Sequence, residues 1–537
     1  MKNAIIKKME NFNNIIISFS GLIIFLLLPP SANAQSHFIR NPTQNTLNIL
    51  KAAVEAHPDD LKAHEDFINA FDINDPRLPR QYAIWMQRYP KIAMVPFALG
   101  KTYEEYDNTI CKKYLLKALD LNPNMAEAWE YLSKNATDLS HNAEALEYMY
   151  KAAQCDPKNA ECAFKYALLN SDGDPAKYDS LMLKVVYHFP DDDRSAEALY
   201  RLASLPFNSN EKASYYETLY QLYVKKQPVW FRHGMIDYFV YLLDTSPDKA
   251  FELALKMVAQ VKINHGDWNL RMKVARDFIE ARKLLDLGKP LEAEAIIQHT
   301  SLGNSKKDGI TIDAEETLAL FKAEIAAAAN KTRAAYDSIS TYYSKLPSDR
   351  MRKALLTYAS RLGIDSNKAD SDIWKVRNAN AWSQTKFTLR SFIDSSKVSI
   401  ADLQGKVVLI TYWSPSCGPC RKEFPHIQAV LNKINGSEIV HLGIDVFNEQ
   451  EPNVMPFVKA NHLTFIPLHD DPNTAKGNLP RVTAIPENFL LDQHGRVIFS
   501  DFIITGNNER TLELMLTELL KFGKTGLTPL PAILAKN

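Results

Sequence analysis

Two spacings of apolar residues divide the chain. Over the first two thirds they recur three and four apart in short runs, the helical spacing, broken by proline with acidic or amide neighbours. In the last third they gather into continuous or alternating runs of strand length. In the first part Pro58, Pro90, Pro123, Pro157 and Pro190 follow one another at 32, 33, 34 and 33 residues, and each but the second is closely followed by Asp or Asn. A proline stops one helix, the polar neighbour caps the next, and alanine-rich spacing lets paired helices approach. Beyond Pro190 the strict period fades, yet helical spacing continues through Pro247 to Val261, Leu284 to Thr300 and Ala314 to Tyr343. The pattern predicts an all-helical superhelix over 40–362. A polar stretch follows, and residues 363–384 are expected as a linker.

From residue 385 the pattern predicts short strands at Phe387 to Leu389 and Val398 to Ile400, then a buried strand, Val407 to Tyr412. A helix over Cys417 to Leu431, a strand at Ile439 to Asp445 and a helix near Asn453 to Asn461 come next. Strands at Phe465 to Leu468, Glu487 to Leu491 and Val497 to Phe499, with a hairpin turn at Asp492 to Gly495, precede a last helix, Arg510 to Phe522. Strand, helix, strand, hairpin and helix describe a small mixed-sheet α/β domain over 385–525, with 526–537 as a tail.

Length and composition fit this division. A chain of 537 residues is too long for one core, and 46% apolar with 23% charged residues is ordinary for globular domains. At the N-terminus Lys7 and Lys8 precede the apolar stretch Ile15 to Leu28, and Ala32-Asn33-Ala34 offers small residues for cleavage. That stretch falls short of the ~20 residues that span a bilayer, and Pro29-Pro30 ends it, so residues 1–34 are expected as a cleaved export signal. Without them 60 basic and 62 acidic residues remain, a balance with no field for gathering nucleic acid.

The candidate chemistry is Cys417-Gly418-Pro419-Cys420, placed where the buried strand turns into a helix. Two cysteines three apart at such a turn suit thiol–disulfide exchange, with a structural disulfide the open alternative. Five cysteines are too few to hold the fold together. Cys111, Cys155 and Cys162 read as buried thiols of the helical region, or Cys155 and Cys162 as a pair. With no second such motif and no adjacent histidine a metal site is not expected, and His57, His64, His141, His188, His233, His265 and His299 are too scattered to ligate one. Trp230, Phe231, Tyr238, Phe239 and Tyr241 read as helix packing or as a groove lining.

Two resemblances follow. The 34-residue period, with Ala126, Ala128-Trp129 and Tyr131-Leu132 then Ala143 to Leu146 and Tyr148, resembles a degenerate tetratricopeptide repeat lacking the usual glycine of its first helix. Such a superhelix offers a concave surface for a peptide or protein. The last third resembles the thioredoxin fold of the TlpA/ResA type, the exported or membrane-tethered thiol–disulfide oxidoreductases of bacteria. The matching texts are Asp402 to Leu409, Tyr412-Trp413 with Cys417 to Pro425, and Ile485 to Asp492 with Gly495.

The resemblance implies Cys417 as the exposed nucleophile and Cys420 as the resolving thiol. It implies Pro486 as a cis-proline facing them, and Glu423 as an acid managing the proton of Cys420, against the plain reading of a solvated glutamate. Thr411 stands where ordinary thioredoxins bury an aspartate. Trp413, Ile485 and Glu487 are expected to face the substrate. Glu487 departs from the usual Thr or Ser after the proline, and Ser414-Pro415-Ser416 departs from the aromatic approach to the first cysteine. The expected architecture is thus a tetratricopeptide-like superhelix followed by an α/β thioredoxin fold. The expected function is an exported reductase of disulfide-containing client proteins, fed by an exported or membrane-embedded electron donor, without cofactor. The rival is a protein- or peptide-binding scaffold carrying a weakly active module.

Overall fold

In the computed structural model the described residues are 43–104, 106–171, 173–205, 211–260, 268–301, 312–434, 438–447, 450–471, 476–480, 482, 484–506 and 508–523. The expected export signal and C-terminal tail lie outside them. They form two compact units, divided between Tyr223 and Val224.

The first unit is all helix. It runs through α1 (Gln44–Ala56), α2 (Leu61–Ile68), α3 (Arg77–Arg88), α4 (Met94–Thr102), α5 (Asn108–Leu121) and α6 (Ala126–Asp138). Then come α7 (Asn142–Cys155), α8 (Ala160–Leu168), α9 (Pro175–His188), α10 (Asp193–Ser204) and α11 (Lys212–Tyr223). Each of the five periodic prolines directly follows the C-cap of an odd-numbered helix, so the period is that of a helix pair. Asp60, Asn159 and Asp192 then cap the next helix through their side chains, whereas no side chain does so after Pro90 or Pro123. Successive pairs are tied one period apart. Tyr89 Oη donates to the carbonyl of Glu55, and Tyr223 Oη to that of Pro190, at 3.1 and 2.8 Å.

The second unit begins with α12 (Val229–Thr245), α13 (Pro247–Gln260), α14 (Trp268–Asp286), α15 (Pro290–Ile297), α16 (Ile312–Ala328), α17 (Thr332–Lys345), α18 (Asp349–Arg361) and α19 (Ser366–Asn380). The apolar spacing over Leu284 to Thr300 spans two helices, because Gly288 takes φ +72° and Pro290 opens a new one. Ala314 to Tyr343 likewise breaks at Asn330, whose φ is +60°. Phe231, Tyr238 and Phe239 are buried in α12. Among the described residues no helix is long and apolar enough to cross a membrane.

The stretch 363–384, expected as a linker, holds α19. Its inward residues are Ala369, Ile373, Trp374 and Arg377. Arg377 reaches back one helix pair, its Nε donating to the carbonyl of Ser344 at 2.9 Å and Nη2 to that of Tyr343 at 3.0 Å. The helical array therefore runs to Asn380.

The α/β part follows at once. β1 (Thr388–Arg390) and β2 (Lys397–Ser399) form an antiparallel ribbon, and a 3₁₀ turn, Ile400–Leu403, leads to β3 (Val407–Trp413). Then come α20 (Gly418–Lys433), β4 (Ile439–Asp445), α21 (Glu451–Ala460), β5 (Ile466–His469), β6 (Glu487–Leu491), β7 (Val497–Ser500) and α22 (Glu509–Phe522). The sheet order is β5-β4-β3-β6-β7, with β3, β4 and β5 parallel and β6 antiparallel to both its neighbours, β3 and β7. Alternation sorts the sheet into two faces. Val408, Ile410, Tyr412, Leu442, Ile444, Phe489 and Leu491 fill one; Val407, Leu409 and Leu490 meet α20, α22 and Trp374 of α19 on the other. β3, central and covered on both faces, is buried at every position, which is why it reads as an unbroken apolar run.

Candidate active site

β3 ends at Trp413, and the chain turns through Ser414 to Ser416 into α20. Cys417 is the N-cap of that helix, and its Sγ accepts the backbone N–H of Cys420 at 3.2 Å. The two sulfurs are joined as a disulfide, with Cα atoms 5.3 Å apart. Pro419 sits in the first turn, where its missing N–H leaves nothing unpaired, and the space around Gly418 is open. Cys417 is half-buried and Cys420 wholly buried. A partly exposed outer cysteine and a sealed inner one suit the two steps of exchange. When the pair is reduced, the helix terminus and its N–H groups favour a thiolate on Cys417.

The approach to Cys417 is held from outside its own helix. Gln450, buried before α21, donates through Nε2 to Ser416 Oγ at 2.7 Å and accepts the Ser416 N–H at 3.3 Å. This amide–hydroxyl pair occupies the approach that carries an aromatic residue in the resembled family. Gln450 carries no local signal of this role, since it lies 34 positions from Ser416.

The Ile485–Pro486 peptide is cis. Pro486 is buried, while Ile485 and Glu487 are half-buried, and Ile485 and Cys417 rest on the same apolar cluster. Trp413 corrects the expectation of a substrate-facing residue: it is 0% exposed. Its ring packs 5.2 Å from Phe424, 5.3 Å from Phe457 and 5.2 Å from Phe465, forming the floor behind Cys420. The floor leaves no room to grow. A Cβ added to Gly443 of β4 would stand 2.5 Å from the Phe465 ring and 3.0 Å from Trp413 Nε1. Gly443→Ala is expected to lower stability by about 1–3 kcal/mol, read as a drop in the thermal unfolding midpoint.

Glu423 lies one helical turn beyond Cys420 and is buried rather than solvated. Its Oε1 accepts from Asn488 Nδ2 at 2.7 Å and from the N–H of Ile504 at 2.6 Å. Burial pushes its carboxyl up to about 7, against the two hydrogen bonds, which pull it down. Asn488 was missed in the sequence, although alternation from Pro486 puts it on the buried side of β6. Thr411, in the register position opposite Asn488 on β3, is fully buried.

The other cysteines stand apart. Cys111 and Cys162 are buried, Cys155 is half-buried, and all three are free, so Cys155 and Cys162 form no pair. Burial pushes the Cys111 thiol up to about 12, and Cys162 rises too, by burial and its hydrogen bond to Glu130.

Comparison with known proteins bears on this last third. A family model described as the AhpC/TSA family matches residues 384–500. The thiol-disulfide oxidoreductase ResA of Oceanobacillus iheyensis is 31% identical over 146 residues, 27% of this chain and 73% of that protein. ResA of Bacillus cereus is 34% identical over 108 residues, 20% of this chain and 60% of its own length. The crystal structure of StoA from Bacillus subtilis, 25% identical, covers 24% of this chain and 96% of its own, with a TM-score of 0.20.

Proposed function

We propose, from the premise that this chain belongs through its C-terminal domain to the ResA thiol–disulfide oxidoreductases, that it reduces disulfides in client proteins outside the cytoplasm. One observation carries this: a disulfide at a helix N-terminus whose outer cysteine is half-buried while the inner one is wholly buried. The reduced Cys417 thiolate attacks a client disulfide, joining one client sulfur and releasing the other as a thiolate that takes up a proton. Cys420 gives its proton to Glu423 and attacks Cys417 Sγ. The second client sulfur leaves Cys417 as a thiolate that takes up a proton, and the enzyme disulfide forms. Two electrons have passed to the client, and a dithiol donor, exported or membrane-embedded, must return them. Gly-Pro between the cysteines supports the reducing direction. Residues 1–34 support export, and the balanced charge supports a protein rather than a nucleic-acid partner.

Client recruitment belongs to the helical region. Its helix-pair period supports an assignment to tetratricopeptide-like repeats, and Ile485, Glu487 and the Pro486 peptide would line the client strand beside Cys417. Insulin reduction by the dithiothreitol-reduced protein tests the chemistry. Cys420→Ser is expected to hold a client on Cys417 as a mixed disulfide that runs as a heavier band without reductant. The same band from a Cys417→Ser, Cys420→Ser double variant, or no insulin reduction by the wild type, would reject the enzyme and leave a binding scaffold.

A further inference from the structure

A line of buried polar side chains crosses the sheet behind the disulfide, and only one arrangement of protons satisfies it. Asn488 Nδ2 donates to Glu423 Oε1 at 2.7 Å and to the carbonyl of Phe502 at 3.0 Å. Both amide hydrogens are then used, so Oδ1 accepts, and it takes the hydroxyl proton of Thr411 at 2.7 Å. Thr411 has no second proton to give. His441 Nε2, 2.9 Å from Thr411 Oγ1, must therefore carry a hydrogen and donate. The Phe502 carbonyl fixes the direction, because turning the amide over would set Oδ1 against that carbonyl oxygen and the Glu423 carboxylate. Asn488, Thr411 and His441 are all buried, the first two completely.

Glu423 is left asymmetric. Oε1 has two donors, Asn488 and the N–H of Ile504. Oε2 is buried and has no hydrogen-bond partner among the described residues. Cys420, three residues earlier on α20, shares its side of the helix. His441 of β4 reaches Glu423 only through Thr411 and Asn488. Burial pushes that imidazole down to about 3, so it stays neutral. Burial and the two hydrogen bonds are what act on Glu423, with no charged neighbour among them.

We infer that Asn488, locked by Thr411 and His441, is a positioning residue that keeps Glu423 Oε1 an acceptor, so that Oε2 carries the proton exchanged with Cys420. The inference rests on the thiol–disulfide reading of the site. In the second half of exchange the Cys420 S–H bond breaks and its proton passes to Oε2. The sulfur's electron pair forms the bond to Cys417 Sγ as the bond from Cys417 to the client sulfur breaks, and that sulfur leaves as a thiolate that takes up a proton. No other oxidant or reductant is needed. Weakening the Asn488 donor makes the carboxylate less stable, so the pH at which Glu423 becomes a base must rise.

The test is the pH profile, from 5 to 9, of mixed-disulfide resolution in the full-length reduced protein mixed with oxidised glutathione. The wild type is expected to inflect near pH 7. Asn488→Leu is expected to raise the midpoint by about one unit, a tenfold change in proton affinity. Thr411→Val, nearly isosteric, is expected to raise it by less, and Thr411→Ser, which restores the hydroxyl, to bring it back toward the wild type. Thermal unfolding of each variant separates these shifts from misfolding, and the Thr411 pair carries the test if Asn488→Leu does not fold. Unmoved midpoints in folded variants, with the inflection abolished by Glu423→Gln, would overturn the positioning role and leave the redox reading standing. An inflection that survives Glu423→Gln would overturn it too. A wild type that never resolves a mixed disulfide would overturn the proposed function itself.

Discussion

Arg377→Ala is expected to destabilise the second unit by about 3–5 kcal/mol, because it removes one partner of a buried ion pair and leaves the other without compensation. Arg377 projects from α19 with 3% of its surface exposed. Its guanidinium pairs with Glu518 of α22, donates to the carbonyls of Tyr343 and Ser344, and lies 4.5 Å over the Phe499 ring of β7. Burial lowers the proton affinity of Arg377 and raises that of Glu518. The stranded Glu518 can therefore relieve itself by taking a proton, and the loss should shrink at low pH. Replacing both partners by apolar residues, Arg377→Met with Glu518→Leu, should recover most of it. Urea unfolding at two pH values measures all of this. A single-variant loss below about 1 kcal/mol would mean that water reaches the pair.

The same joint has a functional side. Trp374 of α19 stacks on Phe522 of α22 with centroids 5.9 Å apart, and Lys521 pairs with Asp370 at 2.7 Å. α19 is thus both the last helix of the array and a wall of the redox domain. A fragment beginning at residue 385 would bare Phe499, Phe522 and Glu518.

That joint explains what the sequence concealed. The helix pairs were plain because proline recurs at their ends and alanine on their inner sides. The sheet was plain because β3 has no solvent face to interrupt its apolar run. α19 was hidden because the fourth member of its inward stripe is an arginine, which reads as a surface residue until its ion pair and carbonyl acceptors are seen. The disulfide site could be read because its residues are adjacent in the chain. Gln450, Asn488 and His441 could not, because only β-sheet register brings Asn488 and His441 to Thr411, and only a loop crossing brings Gln450 to Ser416. Trp413 misled for a related reason: nearness in sequence to Cys417 does not say which side of the strand a ring takes.

Glu423→Gln is expected to move rate and stability in opposite directions. With its carboxyl pushed up to about 7, Glu423 is poised to take and return a proton at neutral pH, and such groups contribute about 10²–10⁴ in rate. Resolution of the mixed disulfide by Cys420 should therefore slow at least ~10²-fold at pH 7, while the first attack by Cys417 is spared. Rapid-quench trapping of the mixed disulfide separates the two steps. The stability term has the other sign. The folded chain holds this proton up to about 7 and the unfolded chain only to the ordinary 4.5, so the folded state binds more protons between those values and loses stability as pH rises through them. Between pH 5.5 and 8 that loss comes to about 2 kcal/mol. Glutamine has no proton to lose, so the oxidised variant should gain about that much on the wild type over the same interval. Unfolding curves of the two oxidised proteins that stay parallel from pH 5.5 to 8 would show that Glu423 is not held neutral by burial, and the base for Cys420 would have to be sought elsewhere.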